Sequence, residues 1–494
     1  MSYRVRIASA ALLVPAWLSA QTAQGAARAA SATKVGPASG TVIVVGGGAI
    51  GPEIYSEFIK SAGGPDALII DVPTAGGDSV YGQDASTTRA WKNAGAKNVY
   101  VFHTKDRKLA DSDSFVAILK KAGGVWFDGG RQFHLVDSYG GTRSETEFMN
   151  VLARGGVIGG SSAGASILGD FLVRGAPSNN NFIMDDPSHQ KGFAYLRGVG
   201  IDQHVVARER LPDLADSIIT KYPQLLGISE DEGTAWVVRG DSAVIMGRNK
   251  AFAYNGKATD PGKPFLTLFP GDRYDLATRA VTHRAADESP VKASLLDSLF
   301  RKYDAPAAGG ATVLVAREGK VLVDRSYGIP AQPRFMPTTT VPQFPLGEMT
   351  SVFTALCDQL PPPGGRGGRG NQPPLTPFQS CVAQGVSTPV GLHKTNATPE
   401  GQVMSNVDEL YRLSLGLEVP RTFGSAVDGA KGWTADTYHG VSRLVAYGAA
   451  GGKKHAFVRV PDRKVTIIIL TNDDAADARG IADRITDELF GGRR

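Results

Sequence analysis

The 494-residue sequence predicts an α/β fold, a three-layer, doubly wound, mostly parallel sheet, followed by a second and smaller α+β domain. Three observations carry this expectation. From residue 40 onward, short β-branched runs alternate with amphipathic helical stretches, the pattern of a parallel sheet covered on both faces. Closely spaced runs after residue 234 announce an antiparallel finish. Beyond residue 290 a hairpin signature opens a separate pattern, and a prior of roughly 150 residues per domain makes two domains reasonable.

The elements follow in order. Met1 to Arg6 carry two arginines, an apolar stretch runs over 7–18, and small residues follow at Ala20, Gly25 and Ala26. That order is an export signal over 1–30 and places the protein outside the cytoplasm, secreted or periplasmic. The stretch is shorter than the roughly 20 residues a bilayer requires, and Pro15 interrupts it. No stable membrane span is therefore expected, and an uncleaved N-terminal anchor is the alternative.

The first domain is expected over 40–280, with strands at 41–45, 67–72, 98–103, 124–127 and 156–158, then 234–238, 242–246 and 251–254. A helix is expected over 112–121. Residues 281–290 read as a linker. The second domain, 291–494, should open on a helix over 291–303. A hairpin of 311–317 and 320–325 follows about Glu318-Gly319. Segment 361–377, with Pro-Pro-Pro and two Gly-Gly-Arg units, cannot bury a core and reads as a mobile loop. Strands at 456–460 and 465–471 and a helix over 475–490 close the chain.

Hydrophobic residues at 42% and charged residues at 20% exclude a disordered chain. Lysine and arginine exceed aspartate and glutamate by only 53 to 48, without a phosphate-gripping run, so no nucleic acid partner is expected. Cys357 and Cys381 are compatible with a disulfide or with two thiols. Two cysteines with no histidine at ligand spacing do not make a metal site.

The chemistry concentrates in three segments. Gly160-Ser161-Ser162-Ala163-Gly164 follows the 156–158 strand and has the Gly-x-Ser-x-Gly form of a nucleophile elbow. Small flanking residues permit the sharp turn that lifts a serine oxygen to the edge of a sheet. A glycine-rich packing turn is the alternative. His204, one of eight histidines, lies in the polar knot Asp202-Gln203-His204-Val205-Val206-Ala207-Arg208-Glu209-Arg210 and could serve as base. Segment 227–235 offers Glu230, Asp231 and Glu232, either as an orienting acid or as a solvated acidic turn.

Together these segments resemble the cyanophycinase family of serine peptidases, which includes aspartyl dipeptidases. Gly159-Gly160-Ser161-Ser162-Ala163-Gly164-Ala165 is similar to its nucleophile segment, which implies Ser162 rather than Ser161 as nucleophile. Asp202-Gln203-His204 with Arg208 and Arg210 resembles its Asp-Gln-His-Phe segment with trailing arginines, implying His204 as base. Asp231-Glu232-Gly233-Thr234-Ala235 resembles its Asp-Glu-x-Thr-Ala segment, implying Glu232 as the orienting acid. Asp128-Gly129-Gly130-Arg131-Gln132 resembles its Gly-Gly-x-Gln turn.

The resemblance implies a class I glutamine amidotransferase-like three-layer fold. It assigns substrate binding to Gln132, Asp202, Gln203, Arg208 and Arg210, and elbow geometry adds Gly130 and Ala163 as an oxyanion hole. It implies release of β-aspartyl-arginine units from cyanophycin, or cleavage of related aspartyl peptides, without metal or organic cofactor. Two positions depart from the pattern: Val205 stands for phenylalanine, and Asp213 for a third arginine. A peptide is the expected partner, and any self-assembly is expected to be a homodimer. An aspartyl dipeptidase and a non-catalytic peptide or cell-wall binding protein are the alternatives.

Residues 291–494 resemble a shortened, degenerate serine β-lactamase or penicillin-binding protein. Its Ser-x-x-Lys pair would fall on Glu348 and Ser351, and Ala449 stands where a histidine or lysine is usual. The resemblance implies a catalytically silent domain.

Overall fold

The computed structural model describes residues 34–178, 186–260, 262–304, 310–327, 343–362, 374–419, 422–424, 427–451 and 454–491. Residues 1–30, expected to be an export signal, and most of the Gly/Pro-rich segment, 363–373, lie outside the described residues. Pro377, expected at the end of that loop, instead opens a helical turn, Pro377–Ser380, capped by the Thr376 side chain. Among the described residues no helix is long and apolar enough to cross a membrane.

The first nine-stranded sheet is parallel at its centre. Strand β1 (Thr41–Val45) pairs in parallel with β5 (Val157–Ser161), which pairs with β4 (Gly124–Phe127). Next come β2 (Leu68–Val72) and the edge strand β3 (Asn98–Val101), two residues shorter than expected. Every residue of β1 is buried because both faces are covered. Val42 and Val44 join a core with Leu119, Leu135 and Phe148, whereas Ile43 and Val45 join one with Ile54, Phe58 and Trp91. These partners lie on helices of opposite layers, which makes the sheet doubly wound.

On the other side of β1 the sheet turns antiparallel through β9 (Thr234–Arg239), β10 (Ser242–Gly247), β13 (Arg273–Asp275) and β14 (Ala280–His283). The expected helix over 112–121 spans Asp113–Leu119, with the Ser112 hydroxyl capping it.

A second, five-stranded sheet was not expected. It orders β12 (Phe265–Leu268), β11 (Ala251–Tyr254), β8 (Leu226–Glu230), β7 (Leu196–Gln203) and β6 (Gly169–Phe171). Leu196, Ile201, Ile228 and Ala253 pack into the core shared with Val42 and Val44. Strand 251–254, expected in the main sheet, belongs here. This sheet brings the ends of β7 and β8 to the carboxyl edge of β1 and β5, which places the site.

Residues 281–290 are tied to the first sheet by Asp272, which accepts from the Ala285 amide at 2.9 Å and pairs with Arg284 at 2.6 Å. Beyond them lies a six-stranded antiparallel sheet. In order it holds β16 (Lys320–Tyr327), β15 (Ala311–Arg317), β23 (Val465–Thr471), β22 (Lys454–Val460), β21 (Val441–Ala449) and β20 (Thr434–Tyr438). Alternate residues of β23 serve two cores. Ile467 and Ile469 pack with Ala482 and Ile485 of the helix Ala478–Phe490, and Ile468 and Leu470 pack with Val352, Phe353 and Leu410. Cys357 and Cys381 are bonded, with their Cα atoms 5.9 Å apart.

Candidate active site

The site is built around a backbone distortion. The Ser162 amide donates to the Val45 carbonyl at 3.0 Å, continuing the β1–β5 ladder one residue past the strand. Ser162 itself has φ 59° and ψ −116°, a region that residues with side chains avoid and that persists only where the surroundings enforce it. A single helical turn, Ala163–Ser166, follows. At Gly164 a β-carbon would lie 1.9 Å from the Phe127 carbonyl oxygen, so only glycine lets this turn close against β4.

His204 caps the end of β7, buried, its amide bonded to the Gly46 carbonyl at 3.2 Å. Its Nε2 lies 2.8 Å from Ser162 Oγ and its Nδ1 2.5 Å from Glu232 Oε1. Three side chains separated by 42 and 28 residues thus form one continuous hydrogen-bonded chain. Burial alone would push the Glu232 carboxyl up, but hydrogen bonds from His204 and His393 hold it well below the usual carboxylate range. It is therefore an anion at neutral pH, the state able to orient an imidazole and compensate an imidazolium.

The acidic turn is not solvated: Glu230 and Asp231 are also buried. Asp231 accepts from the Ala207 amide at 3.0 Å and so holds the knot that carries His204. Glu230 lies opposite Gln203 across β7 and β8, and burial, with Asp202 and Asp231 nearby, raises its carboxyl well above the ordinary value.

Two contributions were not read from the sequence. The loop after β1 covers the histidine: a β-carbon on Gly47 would lie 2.3 Å from His204 Cε1, and one on Gly48 2.3 Å from Glu232 Oε2. The second domain also reaches the site. His393 Nε2 sits 2.7 Å from Glu232 Oε2, so both carboxylate oxygens are engaged.

The turn at Gly129 packs against the serine, a β-carbon there lying 3.6 Å from Ser162 Oγ; Ala163 follows Ser162 in the chain, and Gly130 abuts the Ala75 carbonyl. Gln132 is buried and donates to the Val173 carbonyl at 3.1 Å, while its Oε1 has no partner among the described residues. Gln203 is buried with its Oε1 likewise unpaired. Arg208 is exposed. Arg210 is buried with Nη1 unpaired, and burial beside Arg174 lowers its guanidinium to about 10.

Asp202 differs from expectation, because its carboxylate is fully buried and held in a fork by Arg174, at 2.9 and 2.8 Å. Arg174 also binds Asp213 at 2.5 Å. The acid that stands for a third arginine thus has its own cation. A buried arginine shared by two acids explains the reversed charge.

In the second domain Glu348 and Ala449, 101 residues apart, do meet: the Glu348 carboxylate accepts the Ala449 amide. They line a cleft of about 390 Å³ with Tyr447, Lys454, His455 and Arg479. Ser351 donates to the Gly432 carbonyl at 3.0 Å.

A sequence profile of peptidase family S51 matches residues 42–246. Among curated relatives, a cyanophycinase from a Nostoc species is 30% identical over 217 residues, 41% of this chain and 70% of that protein. A cyanophycinase from Geminocystis herdmanii is 28% identical over 234 residues, 45% and 84% of the two chains. Among solved structures, a peptidase from an acI-B1 actinobacterium aligns over 48% of this chain and 96% of its own, at 23% identity and TM-score 0.38. A Mycobacterium bovis β-lactamase aligns over 37% and 94%, at 15% identity and TM-score 0.28.

Proposed function

This chain belongs to peptidase family S51, and from that premise we propose that it is an exported serine exopeptidase acting on β-aspartyl peptides, cyanophycin among them. The observation that carries the reading is the unbroken chain Ser162–His204–Glu232, with contacts of 2.8 and 2.5 Å, at a strained strand-to-helix turn.

In this mechanism Ser162 Oγ attacks the scissile carbonyl carbon while His204 Nε2 takes its proton. The carbonyl oxygen becomes an oxyanion facing the amides of Gly130 and Ala163. Collapse breaks the C–N bond, and the imidazolium gives its proton to the leaving amine. Water then attacks the acyl ester, His204 takes a proton from it, and Ser162 recovers that proton as the carboxylate product departs. Glu232, held anionic, stabilises the imidazolium in both halves.

Arg208 and Arg210 are the cations available for aspartyl carboxylates, since guanidinium pairs well with such groups. Asp213 does not cancel them, being paired with Arg174. The unpaired oxygens of Gln132 and Gln203 can accept from a substrate N–H or guanidinium. Asp202 supports the site by fixing Arg174 rather than by touching substrate. The export reading rests on segment 1–30 and agrees with the Cys357–Cys381 bond, which belongs in an oxidising compartment.

The test is incubation of the full chain with cyanophycin and, separately, with short β-aspartyl peptides. Soluble β-aspartyl-arginine is expected from the polymer. Cleavage of the short peptides with the polymer intact would make it an aspartyl dipeptidase. No hydrolysis of either would overturn the reading in favour of a binding protein.

A further inference from the structure

The contact between His393 and Glu232 crosses from the second domain into the proposed triad, joining residues 161 positions apart. Its surroundings show a built position. His393 lies in the segment between Val390 and Asn396, and the backbone on both sides of it is anchored. Before it, the Val390 carbonyl accepts from Arg248 Nη1 at 3.0 Å and the Gly391 carbonyl from Arg412 Nη1 at 2.8 Å. After it, the amides of Lys394 and Thr395 both donate to Glu409 Oε2 at 3.1 Å.

The anchors are themselves buried and interlocked across the domain boundary. Arg412 is 3% exposed and reaches Asn249 Oδ1 at 2.5 Å, Glu409 at 2.9 Å and Asp231 at 3.5 Å. Asn249 in turn donates to the Glu232 carbonyl at 2.6 Å, so the same cluster fixes the backbone of the acid and the imidazole that meets its side chain. The His393 side chain is exposed, and this frame holds its backbone on both sides.

We propose that the second domain completes the triad, with His393 as a positioning residue that clamps the second oxygen of Glu232 and, when protonated, shares the charge of that carboxylate with His204. The inference rests on the triad reading above. A carboxylate bound only by His204 can rotate or accept water at its second oxygen; bound at both, it holds one plane. Glu232 compensates an imidazolium on His204, and a second cation on the same carboxylate takes up part of that compensation.

The hydrogen bond and charge of Glu232 raise the His393 imidazole above its ordinary value against partial burial, Arg412 opposes this, and Glu409 assists. Arg248, buried, holds the Val390 carbonyl, and Lys394 is the next residue in the chain.

The test compares wild type, His393→Gln, His393→Phe and Ser162→Ala as full-length chains. Glutamine retains an N–H donor without the charge, and phenylalanine retains neither. In kcat/KM against pH on a β-aspartyl peptide, the acid limb should move up by roughly half to one pH unit in both His393 variants, the scale for a partly solvated charge near this distance. kcat on the plateau should stay within about threefold for glutamine and fall roughly tenfold for phenylalanine, as expected for loss of an orienting contact. NMR titration of the His204 imidazole in Ser162→Ala, with and without His393→Gln, should show the same upward displacement without any turnover.

An acid limb and an imidazole titration that do not move would overturn the proposal, even if kcat falls, because a merely structural role lowers rate without moving either. A hydrolysis rate retained in Ser162→Ala would instead overturn the triad reading, and the NMR displacement would still decide the His393 contact on its own.

Discussion

Replacing Gly47 by alanine should disable the site while leaving the fold in place. The added β-carbon would lie 2.3 Å from His204 Cε1 and 2.5 Å from Nε2, where carbon atoms in contact normally keep about 3.5 Å. The overlap is therefore roughly 1 Å. The ring cannot retreat freely, being held by Ser162 on one nitrogen and Glu232 on the other, with its own amide on Gly46. Gly47 also has φ 97°, which alanine tolerates poorly. The strain should cost about 1–3 kcal/mol of stability, the usual range for overpacking. Catalysis should suffer more, since a displacement of about 1 Å at a reacting group can lower rate about a hundredfold. Steady-state hydrolysis of a β-aspartyl peptide, with thermal unfolding followed by circular dichroism, separates the two effects. A Gly47→Ala enzyme within threefold of wild type would refute the view that this loop fixes His204.

Burial pushes the Asp71 carboxyl up to about 6, against a hydrogen bond from Thr87. The folded state therefore holds this proton more tightly than the unfolded chain, near 3.9, and stability contributed by the protonated group is lost as pH rises from about 4 through 6. Asp71→Asn should remove that slope and gain about 2 kcal/mol relative to wild type at pH 7 over pH 4 in urea unfolding; parallel pH dependences would contradict it. Arg412→Ala strands Glu409 and Asp231 inside the domain boundary and should destabilise by about 3–5 kcal/mol, read as a lowered unfolding midpoint. A change below about 1 kcal/mol would show that the boundary does not depend on it.

The parts of the site that were legible in the sequence are those governed by local rules. An elbow needs small residues at fixed spacing around its serine, and the buried strands of the parallel sheet need unbroken β-branched runs. Ser162 and β1, β4 and β5 were read on those grounds. Strand β7 was legible only in the polar knot at its end, because Gly198 and Gly200 interrupt it and it ends on Asp202-Gln203. With it the second sheet was missed, although its strand 251–254 was legible.

Pairings over long sequence distances were not legible at all. Asp213 looked like a reversed charge until Arg174, 39 residues earlier, supplied its partner. That partner had one available signal, since an acid where a base is expected calls for a compensating cation nearby. His393 had none. It lies in the second domain, and only the docking of the two domains brings it to Glu232.

The central claim is that hydrolysis runs through Ser162, held by His204 at 2.8 Å. The most direct measurement is the rate of β-aspartyl peptide hydrolysis by Ser162→Ala beside wild type at the same protein concentration. Loss of the nucleophile should lower that rate by at least about a thousandfold with unfolding unchanged. A Ser162→Ala enzyme retaining hydrolysis within tenfold of wild type would contradict the account.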